Sequence, residues 1–131
     1  MLTIKSRSDK RLIIPAVINS KPVNMLIDTG ASLPILDSTL AESLSLKKYK
    51  KFDGSIMGAG GTETDNLWIS SSVVQFNGCT LAQFLLSDIS NIRRSIKRET
   101  GLDIAGIISL PQMQFLGMSI DANAMTVSLP K

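Results

Sequence analysis

Residues 12–32 read Leu12-Ile13-Ile14-Pro15-Ala16-Val17-Ile18-Asn19-Ser20-Lys21-Pro22-Val23-Asn24-Met25-Leu26-Ile27-Asp28-Thr29-Gly30-Ala31-Ser32, two apolar runs joined by a polar turn and ending on an aspartate. The first run is short and β-branched, and Asn19 to Pro22 supply turn residues. Val23 to Ile27 then reads as a second strand, so the stretch predicts a β-hairpin. Pro15 cannot donate to a sheet ladder, which predicts an edge or bulged position for it. Asp28 stands directly after the second strand, where a carboxylate is disfavoured and costly beside a core. Thr29 and Gly30 allow a tight turn that another backbone can approach closely. On these residues alone, an Asx-type turn and a catalytic carboxylate are both open.

The chain beyond this hairpin is also mainly strand-like. Leu33-Pro34-Ile35-Leu36 is a short apolar piece, after which Asp37 or Ser38 can cap a short helix through Leu44. The basic run Lys47-Lys48-Tyr49-Lys50-Lys51 predicts a solvated loop, and Phe52 to Ile69 a hairpin tipped by Gly58-Ala59-Gly60-Gly61. Ser72 to Phe76 and Leu81 to Leu86 flank Asn77-Gly78, a strong two-residue turn signal. Ser90 to Glu99 fits a basic helix or a loop ended by Gly101. Ala105 to Ser109 reads as a buried strand, with a short helix near Met113 to Leu116. Met118 to Asp121 and Met125 to Leu129 predict a closing hairpin around Ala122-Asn123-Ala124. No repeat or low-complexity linker interrupts residues 1–131, which are expected to form one mainly β domain.

Composition narrows the chemistry. Hydrophobic residues make up 44% of the chain but aromatics only 5%, so aliphatic side chains must fill the core. A net charge of +3 falls short of the clustered basic balance of a nucleic-acid binder, and no nucleic-acid partner is expected. No apolar run reaches membrane-spanning length. The start lacks a charged-then-apolar leader, leaving a cytoplasmic protein and a domain excised from a longer one both open. There is no histidine, and Cys79 is the only cysteine. That removes a Ser-His-Asp triad, a Cys-His pair, a histidine zinc site and any internal disulfide. Catalysis would have to use carboxylates, lysines, hydroxyls or the lone thiol, with no metal or cofactor expected. Cys79 reads as a structural thiol, and Arg93-Arg94 with Lys97-Arg98 as a solvated face.

Leu26-Ile27-Asp28-Thr29-Gly30-Ala31-Ser32 resembles the active-site strand and loop of the retropepsin-like aspartic peptidases, and residues 12–32 resemble the hairpin that leads into it. The glycine-tipped hairpin falls where that family places its flap. Ala105-Gly106-Ile107-Ile108-Ser109 falls where its second apolar strand crosses behind the catalytic loop. Ile120-Asp121 with Thr126-Val127-Ser128-Leu129 resembles its closing strand pair. The resemblance implies a small barrel-like fold, one lobe per chain, with a short C-terminal helix. It implies a homodimer that hydrolyses peptide bonds, since one chain carries one Asp-Thr-Gly.

Two Asp28 carboxylates brought together cannot both ionise comfortably, so they share a proton. One then activates a water while the other protonates or polarises the substrate carbonyl. By the same resemblance Thr29 braces its counterpart across the twofold axis, and Gly30, Ala31 and Ser32 complete the loop. Met57, Gly58, Ala59, Gly60 and Gly61 form a flap over a bound peptide. Ile107, Ile108 and Ser109 form the floor. Leu2 to Lys5 and Met125 to Leu129 are the segments expected to exchange strands between copies. In the pepsin-like branch a hydroxyl at the position of Ala31 donates to the carboxylate; alanine cannot, which implies a less acidic working range. The chain departs from the family at Ser109, where glycine is usual, and at Pro111, where Asn or Asp is usual. Proline suits the first turn of a helix. These departures at the floor keep a second reading open, a dimerisation or peptide-binding module with little turnover.

Overall fold

The computed structural model describes residues 1–52 and 67–130. The chain opens with β1 (Leu2–Lys5) and continues into the hairpin of β2 (Ile13–Ile18) and β3 (Lys21–Ile27). Asn19 and Ser20 both have positive φ, 50° and 67°, which is the turn whose twist suits a two-residue hairpin. Lys21 and Pro22 therefore belong to the strand, paired with Ile18 and Val17, rather than to the turn. Pro15 is exposed, but β2 is not an edge strand. Its second ladder, to β7 (Val74–Phe76), registers at Val17 with Gln75, clear of the missing donor at Pro15.

β4 (Ile35–Asp37) leads into a single 3-10 turn, Ser38–Leu40, whose N-cap is Asp37. The helix expected through Leu44 shrinks to this 3-10 turn and the hydrogen-bonded turns after it, including Leu44 N–H to Leu40 O at 2.9 Å, with Ser45 at a φ of 56°. The basic run is β5 (Lys48–Lys51), a strand rather than a loop, because it finds an antiparallel partner in β6 (Trp68–Ser70). It is exposed along its whole length, as a charged run should be. Of the hairpin expected from Phe52 to Ile69, the two ends meet, Phe52 N–H donating to Leu67 O at 2.8 Å, and residues 53–66 with the expected tip lie outside the described residues. β7 and β8 (Cys79–Leu81) form the hairpin signalled by Asn77-Gly78. The run expected from Leu81 to Leu86 breaks at Gln83, where φ is 61°, and β9 (Leu85–Ser87) joins a different neighbour, β4.

α1 (Ser90–Thr100) settles the open segment as a helix, closed by Gly101 at a φ of 77°. β10 (Gly106–Ile108) and α2 (Leu110–Leu116) follow. α2 starts before Met113 because Ser109 opens the helix and Pro111 fits its first turn. β11 (Ser119–Asp121) and β12 (Thr126–Leu129) make the closing hairpin. None of the described helices is long and apolar enough to cross a membrane.

The strands form a three-stranded sheet, β1-β12-β11, and a nine-stranded one, β5-β6-β9-β4-β10-β3-β2-β7-β8. β1 and β12 pair with each other inside one chain, Leu2 with Leu129 through Lys5 with Thr126, where exchange between copies was expected. β12 is flanked on both sides, because the turn at 122–125 folds β11 back against it; β1 and β11 are the outer strands.

In the larger sheet β10 lies between β3 and β4, parallel to the first and antiparallel to the second. The loop joining β3 to β4 must therefore pass over the end of β10. At the centre of this sheet, in β4, β9 and β10, both faces are buried. Met25 and Ile27 enter one cluster with Leu36, Phe84, Ile108 and Val127. Leu26 faces the other way, into a cluster with Ile35, Ile107, Ile89 just before α1 and the inward Ile96 of α1. This is the mainly β half-barrel that the sequence implied.

Candidate active site

Asp28 follows β3 at the point where the sheet ends. Its backbone N–H donates to Ile108 O at 3.1 Å, which holds it to β10. Its Oδ1 accepts from the Gly30 N–H at 2.9 Å, and its carbonyl accepts from the Ala31 N–H at 3.1 Å. A Cβ added at Gly30 would stand 3.3 Å from Asp28 Oδ1, so glycine keeps that carboxylate uncrowded. The loop is anchored at its far side as well, where Leu110 N–H donates to Ala31 O at 3.0 Å. One backbone bond from β10 and one from the first residue of α2 thus fix the turn on either side of the carboxylate.

Asp28 and Ala31 are half-buried, whereas Thr29, Gly30 and Ser32 are exposed. Strand alternation puts the position of Asp28 on the side of Leu26, the side that α1 covers. Ala31 packs against that same cluster. Ile107, Ile108 and Ser109, the residues expected as a floor, are buried, and Ile108 O contacts the loop through the Asp28 N–H. Met57, Gly58, Ala59, Gly60 and Gly61 lie outside the described residues.

Ser109 makes half of a capping box: its N–H donates to Gln112 Oε1 at 3.0 Å. Its Oγ, fully buried, has no hydrogen-bond partner. Serine in place of the family's glycine has thus added a hydroxyl without adding a bond.

Several residues around the loop escaped the reading of the sequence. Gly106 pairs with Met25 on one side and Leu36 on the other. A Cβ there would fall 2.3 Å from Ile35 O and 2.9 Å from Leu36 Cδ2, so only glycine lets β10 fit. Arg11 is the second. Ile13 pairs with Leu26, and Ile27 N–H donates to Leu12 O at 2.9 Å, so the same register carries Arg11 alongside Asp28. Arg11 Nε also donates to Glu99 Oε1 at 2.5 Å, and Lys10 Nζ to Glu99 O at 3.2 Å, tying the end of α1 to this corner. The hydrogen bond and charge of Glu99 hold the Arg11 guanidinium above its ordinary range, and Asp28 adds to that. Extending the hairpin register by two residues would have found it.

The solvated face expected of α1 divides. Arg94, Lys97 and Arg98 are exposed. Arg93 is not: its Nη1 donates to the fully buried Asp37 at 3.1 Å and its Nη2 to Asp103 at 2.8 Å. Among the described residues no group of acidic, histidine or cysteine side chains is arranged to hold a metal.

A family model described as aspartyl protease matches residues 14–102, from β2 to the end of α1. The chain belongs to the aspartyl protease family. The aspartyl protease fold is also found among solved structures. The protease of EIAV, solved with an inhibitor, superposes with a TM-score of 0.63 at 22% identity, covering 90% of this chain and 99% of that one. The retroviral protease-like domain of Ddi1 from Leishmania major gives 0.57 at 19% identity, over 92% and 89%. A retropepsin-like aspartic protease from Rickettsia conorii gives 0.55 at 17%, over 96% and 85%. A comparison with curated proteins returns no match. At such identities the likeness concerns fold, and the fold is the retropepsin-like single lobe.

Proposed function

We propose that this protein is an aspartic endopeptidase that works as a homodimer, with Asp28 of each copy supplying half of a carboxylate dyad. One observation carries the reading. A single half-buried carboxylate sits on a turn pinned by Ile108 O and by the Leu110 N–H, with Gly30 N–H on its Oδ1. One carboxylate can act as base or as acid, and amide hydrolysis needs both roles at once. A second copy provides the missing one. The exposure of Thr29 and Gly30 suits contact with that copy and with substrate. The outer strands β1 and β11 offer it an edge to meet. Substrate would bind as an extended strand whose carbonyl is polarised by one Asp28 while water is activated by the other.

The test is cleavage of a broad peptide library by the parent and by Asp28→Asn, alongside the solution mass of each. The reading requires a dimer, cleavage by the parent, and a loss of about 10²–10⁴-fold or more in the variant. Cleavage untouched by the substitution rejects the carboxylate mechanism. A dimer with no cleavage supports instead the binding module, which the unpartnered Ser109 Oγ under the loop favours.

A further inference from the structure

We infer that the outer face of α1 is a docking site for an acidic stretch of polypeptide, through which a protein substrate is held away from Asp28; the substrate half of this statement rests on the peptidase reading above. The face borders a cleft of about 420 Å³ lined by Ser90, Arg93, Arg94, Lys97, Arg98 and Asp103. Its charges do not balance. Arg93 is engaged by Asp37 and Asp103, but Lys97 and Arg98 have no ion pair among the described residues. Arg94 hydrogen-bonds the neutral Asn91 and lies in the field of Asp88, whose carboxylate it helps hold below its ordinary range without pairing with it. Three cations thus face one opening, and Arg93, which lines it, keeps a buried Nε without an acceptor. The helix N-terminus is not the attraction, since Asp88 Oδ1 already accepts from the Ser90 N–H at 2.9 Å.

The spacing selects the ligand. Arg94 and the pair Lys97-Arg98 stand one turn apart on the helix, about 5–6 Å between Cβ atoms. Alternate side chains on one face of an extended peptide are about 6.8 Å apart, so acidic residues at alternate positions meet successive turns. Guanidinium groups accept carboxylates in a two-point fork, which favours Arg94 and Arg98 as anchors. A membrane surface fits less well, because Ile92 and Ile96, the apolar residues of α1, turn toward the core and leave the outer face without an apolar side chain to insert. A nucleic acid fits less well because no aromatic side chain lines the cleft to stack on a base. Docking here would serve the active site: α1 is about 16 Å long, and its far end is tied through Glu99 to Arg11, beside Asp28.

The test is a fluorescence-anisotropy titration of a dye-labelled oligoglutamate peptide at physiological ionic strength. Saturable one-to-one binding is expected, weakened about tenfold or more by Arg94→Glu, Lys97→Glu and Arg98→Glu together. The corresponding glutamine substitutions give a second variant, should charge reversal disturb folding. Lys50→Glu with Lys51→Glu, on the exposed strand β5, is expected to change binding less than about twofold. Asp28→Asn should bind like the parent, so a failure of the peptidase reading appears as absent cleavage and leaves this titration unaltered. No binding, equal loss with the β5 variant, or equal binding of oligoglutamine overturns the proposal. So does tighter binding of a single-stranded oligonucleotide or of phosphatidylserine vesicles to the same residues.

Discussion

Arg93 Nη1 lies 3.1 Å from Asp37 Oδ2, an ion pair that joins α1 to β4 with the carboxylate fully buried. Burial works against the charge of Arg93, but the hydrogen bonds to Asp103 and then Asp37 more than offset it and leave its pKa raised. The carboxylate of Asp37 also accepts from Thr39 N–H at 3.0 Å and Ile89 N–H at 3.4 Å. Removing the guanidinium would leave Asp37 buried without its counter-charge. Arg93→Leu should therefore destabilise the fold by about 3 kcal/mol, toward the lower end for broken buried pairs because the two N–H donors remain. Urea denaturation of parent and variant measures it, and a change under about 0.5 kcal/mol would show that the pair is not what holds α1 down.

Gly106→Ala introduces a Cβ 2.3 Å from the carbonyl oxygen of Ile35, a backbone atom that cannot swing away. Overpacking of this kind costs about 1–3 kcal/mol, and here the strain falls on the strand that holds the Asp28 loop. Gly78→Ala is the control. It meets nothing within 4 Å and suffers only from its φ of 80°. Thermal melts should rank Gly106→Ala as the more damaging, and Gly106→Ala alone should also depress peptide cleavage.

Glu99 is held below its ordinary pKa of 4.5 by the hydrogen bond from Arg11, with the charges of Arg11 and Lys10 adding to it. A carboxylate depressed in the folded state stabilises fully above its unfolded pKa and loses that contribution as pH falls through the lowered value. The tie between α1 and the corner of Asp28 should thus be intact at neutral pH and fade below about pH 4.5. Comparing the denaturation of parent and Glu99→Gln across pH checks the sign: the gap between them should narrow on acidification, and a gap that widens would contradict it.

Ser109→Ala removes a buried hydroxyl that has no partner and leaves a side chain of nearly the same size. Burying an unbonded hydroxyl is unfavourable, so the variant should equal the parent or exceed it by up to about 1 kcal/mol. The Ser109 N–H keeps its bond to Gln112 in either case. A loss of more than 1 kcal/mol would mean that the hydroxyl is bonded in solution.

Local chemistry made much of this molecule readable. The paired apolar runs and the Asn19-Ser20 turn fix the first hairpin, and Asn77-Gly78 fixes another. The loop at 28–32 and the strand at 106–108 were legible because each is a contiguous stretch whose own residues announce it, an apolar run ending on Asp28-Thr29-Gly30 and the apolar run Ile107-Ile108. What stayed hidden depends on partners distant along the chain. Lys48 to Lys51 look like a loop until β6 supplies the other half of their ladder. Leu81 to Leu86 look continuous until Gln83 turns and β4 captures the second half. Arg93 looks like its solvated neighbours because helical periodicity does not reveal that Asp37, 56 residues earlier, lies buried beneath it. Gly106 looks like an ordinary small residue until β3 and β4 close on it from both sides.

Among the described residues β5 is one of the two outer strands of the large sheet, and it presents Lys48, Tyr49, Lys50 and Lys51 to solvent. An unpaired strand edge is a template for another chain, and a row of lysines makes two such edges repel. That protection is electrostatic, so it is only as long-ranged as the salt allows: about 10 Å at 0.1 M and about 3 Å at 1 M. The colloidal behaviour of the protein should accordingly be worst where many purifications begin, in concentrated salt. Light scattering should show particle growth rising with ionic strength and reversing on dilution.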